Sequence, residues 1–93
     1  MYRRTERYFM NRLTVKNRDG YFVPDENRKE AIQRLGKFEN AYEDLMNSQA
    51  QIPKDLLALR TQGKEKTVRY KEILAQKLIN NNIVLFFEKH GLK

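Results

Sequence analysis

At 93 residues, with 19 basic and 12 acidic side chains, a net charge of +7 and no cysteine, the chain has room for a single small domain (residues 1–93), and it excludes disulfides, thiolate metal sites and a thiol nucleophile. No apolar run approaches the ~20 residues that cross a bilayer, and the arginines of MYRRTERYFMNR are not followed by the apolar stretch of a secretory signal, so the expectation is a cytoplasmic protein with no membrane partner. The charge is uneven, +4 over residues 1–20, −2 over 21–48 and +5 over 49–93, a field that favours polyanions and also keeps a protein in solution.

The first 24 residues alternate. Phe9, Leu13 and Val15 interleave with Met10, Arg12, Thr14 and Lys16, the period of two of a half-buried strand. Asn17-Arg18-Asp19-Gly20 reads as a turn, its Asp-Gly pair being of the type that tolerates positive φ. Tyr21–Val23 returns as a strand and Pro24 closes it. A hairpin over about 9–16 and 20–23 follows, packed on helices because an isolated hairpin is marginal in water. The competing reading is a short helix through Thr5–Leu13.

Residues 25–47 carry the plainest helical period. Asp25 suits an N-cap, and Glu26 and Glu30 suit the positive end of the helix dipole. Ala31, Ile32, Leu35, Phe38, Tyr42, Leu45 and Met46 fall within an arc of about 140° at 100° per residue, a core-facing stripe. Asn47–Gln51 reads as a polar connector. Pro53 suits the first turn of a second helix, with Leu56, Leu57 and Leu59 as its apolar side. Gly63 ends it in the C′ position, and Thr67 caps a third helix that Gly91 closes. On this last helix Val68, Tyr70, Leu74, Ala75, Leu78 and Ile79 share one side, with Arg69, Glu72 and Gln76 opposite. Asn80–Asn82 reads as a break or a cap. Ile83–Phe87 is apolar all round, so both its faces need covering, inside the fold or by a second chain; a strand is the minority reading for these five residues. The expected fold is mostly α: a small three-helix domain (about 25–47, 53–62 and 67–90) with an N-terminal β-hairpin. Its core is drawn from Ile32, Leu35, Phe38, Tyr42, Leu45, Leu74, Leu78, Ile83, Phe86 and Phe87.

The pattern holds no catalytic constellation. His90 is the single histidine, and no nucleophile motif accompanies it. Glu39 and Glu43, four apart, lack the Glu-x-x-His pairs of a carboxylate metal centre. The four glycines lie too far apart for a phosphate loop. No catalytic or metal-binding residue and no cofactor is assigned, and a non-enzymatic protein is expected.

Two basic groups suit a nucleic acid. Arg3, Arg4 and Arg7 interleave with Tyr2, Tyr8 and Phe9, a composition for phosphates and stacked bases. Lys64, Lys66, Arg69, Lys71 and Lys77 form the second group. In a helix-turn-helix, the helix that bears them would offer Arg69, Gln76 and Lys77 to a groove. Plainer readings stand against both: arginine stems covering the protein's own aromatics, and a solvated helix face. DNA or RNA is thus the first partner expected, in a regulatory role. The alternative is a protein–protein interaction module or structural homodimer that uses the apolar C-terminal helix, with Ile83, Phe86 and Phe87 at the interface. The two are compatible, because dimers present paired basic elements to DNA.

Overall fold

The computed structural model describes residues 11–92, in two compact units that divide after Glu39. In chain order the elements are β1 (Val15–Asn17), β2 (Gly20–Phe22), a 3₁₀ turn (Asp25–Asn27), α1 (Arg28–Thr61) and α2 (Val68–Lys89). The mostly helical composition and the hairpin agree with expectation. The described residues contain two α-helices, however, and not three.

In the first unit β1 and β2 pair antiparallel, Val15 opposite Phe22, Lys16 opposite Tyr21 and Asn17 opposite Gly20. The turn is made by Asn17 and Gly20. The Asn17 Oδ1 accepts the Asp19 N–H at 2.9 Å, an Asx turn, and Gly20 takes a φ of 134° that a side chain would resist. Of the Asp-Gly pair, only Gly20 takes positive φ. β1 is also shorter than expected. Leu13 leaves the strand and is buried. Its carbonyl accepts the Asn27 Nδ2–H at 3.4 Å, and its side chain lines a cleft with Ala31, Leu35 and Phe38 of α1. Phe9, Met10 and most of the competing Thr5–Leu13 helix lie outside the described residues; residues 11–13 are not helical. Asp25 does not serve as the expected cap. It opens the 3₁₀ turn, and its carboxylate receives the Arg28 guanidinium at 3.1 Å.

α1 runs unbroken through the expected connector 47–51 and through Pro53. Proline inside a helix removes a backbone bond and costs about 3 kcal/mol. The neighbouring helix overrides that local stop signal: Ile52 and Leu56, on either side of Pro53, are buried, and Ser48 and Gln49 find hydrogen-bond partners across on α2. α2 likewise runs through Asn80–Asn82 without a break. Its start is as expected, with Thr67 Oγ1 accepting the Tyr70 N–H at 3.2 Å. Both helices end as their glycines foretell. Gly63 (φ 70°) donates to the Arg60 carbonyl while Lys64 N–H reaches back to Leu59. Gly91 (φ 83°) and Leu92 repeat this with Glu88 and Phe87, the Schellman closure.

Within the second unit, α2 and the part of α1 from Asn40 onward form an antiparallel hairpin. Its cross pairs are Tyr42 with Phe87 (ring centroids 5.9 Å apart), Ser48 with Asn80 and Gln49 with Asn81 (2.9 and 2.8 Å), and Arg60 with Tyr70 (3.0 Å). From Tyr42–Phe87 through Ser48–Asn80 to Arg60–Tyr70 the first number rises as the second falls. The seam is Tyr42, Leu45, Gln49, Ile52, Leu56 and Leu59 against Tyr70, Ile73, Lys77, Asn80, Val84 and Phe87, an alternation of threes and fours as in a coiled coil. All but Lys77 are buried or half-buried. Ile52, Leu56, Tyr70 and Ile73 are its best-covered part, with Leu59 packed on them.

The expected core is therefore corrected. Ile32, Leu35, Phe38, Leu74, Leu78, Ile83 and Phe86 are exposed, and only Tyr42, Leu45 and Phe87 are half-buried. The reason is geometric. A helix with one neighbour covers a narrow seam, whereas the apolar arcs of this sequence are wider.

Candidate functional site

The surplus apolar arc forms the feature of the second unit with the plainest functional meaning. On α1, Met46, Ala50, Pro53 and Leu57 each follow a seam position by one residue. On α2, Leu74, Leu78, Asn81 and Leu85 do the same. One residue is a rotation of about 100°. Because the two helices run in opposite directions, these rotations carry both rows to the same face of the hairpin. Leu57, Leu74, Leu78 and Leu85 are 56%, 39%, 65% and 62% exposed. Exposed leucines grouped on one face are the largest apolar feature of this side of the hairpin.

The opposite face is made by the residues that precede each seam position. It carries Asp44, Gln51 and Asp55 on α1 and Arg69, Glu72 and Gln76 on α2, with Ile79, Ile83 and Phe86 only toward the end of α2. The three interface residues named from the sequence are therefore not together. Ile83 and Phe86 are exposed on this second face, whereas Phe87 is in the seam against Tyr42.

At mid-seam lies a polar ladder that sequence reasoning missed. Asn80, 3% exposed, donates from Nδ2 to Ser48 Oγ at 2.9 Å and accepts from Gln76 Nε2 at 2.8 Å. Beside it Gln49 Nε2 donates to Asn81 Oδ1. Asn80 and Asn81, expected to break or cap the helix, are instead engaged inside the hairpin. The signal was present in the seam spacing, which puts Asn80 three after Lys77 and four before Val84. Asn80 is bonded through both its oxygen and its nitrogen, whereas the Gln49 Oε1 is buried without a hydrogen-bond partner; a buried polar pair across a seam fixes the register of paired helices.

The cations divide. Arg60, Lys64, Lys66 and Arg69 gather where the chain turns from α1 to α2, with Lys71 in the next turn of α2 and Glu65 the only acid among them. Arg60 also donates from Nη1 to the Tyr70 hydroxyl, which satisfies a polar group at a buried ring. Arg69, Lys71 and Lys77 point in different directions around α2, since 100° steps separate them by 120° or more in two of the three pairs. Of the row Arg69, Gln76 and Lys77, Gln76 bonds Asn80 and the antiparallel seam occupies the side that holds Lys77. Arg3, Arg4 and Arg7 lie outside the described residues.

In the first unit a cleft of about 380 Å³ is lined by Leu13, Leu35 and Phe38, with Arg12 and Arg34 at its side. Both guanidiniums are engaged locally. Arg12 donates to the Thr14 carbonyl and stands 5.7 Å from the Tyr21 ring, a cation–π distance. Arg34 bonds Glu30 and the Asn11 carbonyl. His90 is exposed, its ring 4.8 Å from that of Phe86. Among the described residues no group of three His, Asp or Glu side chains could hold a metal ion, and no helix is long and apolar enough to cross a membrane. No protein-family model, curated protein or solved structure matches the chain.

Proposed function

We propose that the protein is a non-enzymatic interaction module that presents the leucine-lined face of its helical hairpin to a partner protein. The observation that carries this reading is the exposure of Leu57, Leu74, Leu78 and Leu85 on one face. Leaving a large aliphatic side chain in water forgoes about 1.5–3 kcal/mol relative to burial, so the four together give a partner several kcal/mol to recover. Anilinonaphthalene sulfonate added to dilute protein tests it. The dye should brighten on the wild type and lose most of that signal on Leu57→Lys/Leu78→Lys. Equal fluorescence from both proteins would sink the proposal.

A polyanion such as DNA or RNA is the second reading, favoured by the gathering of Arg60, Lys64, Lys66 and Arg69 at the turn. About four phosphate contacts predict a loss of affinity of about a hundredfold between roughly 50 and 200 mM salt. Fluorescence anisotropy with a labelled duplex and a labelled single strand measures it. Charge reversal at Lys66 and Arg69 should flatten the salt slope, and absence of binding to either strand form at low salt removes this reading.

A further inference from the structure

We infer that the occupant of the leucine-lined face is a second copy of the chain, packed with its long axis reversed to give an antiparallel four-helix bundle. This rests on the interaction-module reading and adds the partner, the face and the orientation.

Area comes first. Helices of about 20 residues at 1.5 Å each, side by side at 8–10 Å, make a face about 30 Å long and about 20 Å wide. That is about 600 Å² in projection, close to the ~800 Å² of accessible surface per partner in a standard stable interface. Two hairpins facing each other meet the requirement without any other element. Ala50 at the middle of the face leaves room for an incoming leucine.

Charge supplies the orientation. Residues 58–71, at the turn end, carry five cations (Arg60, Lys64, Lys66, Arg69, Lys71) against Glu65, a net +4. The open end, residues 40–46 and 83–92, carries Glu43, Asp44 and Glu88 against Lys89, a net −2. Reversed stacking sets each basic turn on the other copy's acidic end, twice over, by a two-fold axis. Stacking in the same direction would set like charge on like at both ends, which complementary interfaces avoid. A two-fold contact uses the same face on both copies, so the assembly closes at two and does not grow into a filament; the opposite face, with Asp44, Gln51 and Glu72 beside Ile79, Ile83 and Phe86, takes no part in it.

Sedimentation equilibrium of the full chain in low salt should give twice the chain mass. Leu78→Lys should sediment as a monomer with unchanged far-UV circular dichroism, while Ile79→Lys, on the other face, should remain a dimer. Lys64→Glu/Lys66→Glu takes the turn end from +4 to neutral and should raise the dimer Kd about tenfold. Tightening in that variant would overturn the reversed orientation, and a dimer that survives Leu78→Lys would overturn the assignment of the face. A wild type monomeric up to ~1 mM overturns the second copy as partner. In that event, dye binding that Leu57→Lys/Leu78→Lys abolishes still leaves an interaction module with a different partner, whereas dye binding equal in both proteins takes the module reading down as well.

Discussion

Leu56 and Leu57 are neighbours in the chain and chemically identical, yet one is 3% exposed and the other faces water. Their substitutions should separate cleanly. In protein dilute enough to be monomeric, Leu56→Ala is expected to cost about 2–5 kcal/mol through lost burial and a cavity. Leu57→Ala should cost no more than about 0.5 kcal/mol. Urea unfolding followed by circular dichroism measures both, and equal losses would refute the seam. Asn80 allows a second test. Asn80→Ala removes the partner of Ser48 and Gln76 in the buried ladder, with an expected loss of about 1–3 kcal/mol. A change near zero would mean that the ladder is solvated and holds nothing. Periodicity could place both leucines on an apolar side but could not divide them, because the dividing line is drawn by a second helix.

At the scale of elements, the starts and stops written into a few consecutive residues were legible. Thr67, Gly63 and Gly91 act through bonds to residues three to five away, and such bonds can be read without knowing the fold. Gly63→Ala should cost about 1–2 kcal/mol. A Cβ there meets no atom within 4 Å, so the loss is the left-handed backbone alone. The merger of two expected helices into α1 was not legible. Pro53 and the run Asn47–Gln51 are true local stop signals, outweighed by Ile52, Leu56 and the Ser48 and Gln49 bonds to α2. Pro53→Ala restores the missing backbone donor and should raise stability by about 1–3 kcal/mol, visible as a higher thermal midpoint. A lower midpoint would show that the proline is needed where it stands. The candidate surface was half legible in the same way. Leu74 and Leu78 belong to an arc visible in the sequence, but that arc was assigned inward, because nothing in one helix states how many neighbours it has.

For the whole molecule the quantity at issue is how stability responds to concentration. A chain whose hairpin closes on a second copy is stabilised by mass action. Over about a hundredfold range of protein concentration, its thermal midpoint should climb by several degrees, and that of Leu78→Lys should stay fixed. A wild-type midpoint indifferent to concentration would separate the molecule from this behaviour. The doubling back of the chain at Gln62–Thr67 carries a practical corollary. Anything joined beyond Leu92 leaves the hairpin beside Asn40, roughly 30 Å from the bend. A fluorophore or affinity handle fused there reports on the rim that holds Glu43 and Asp44, where reversed stacking brings the bend of a second copy.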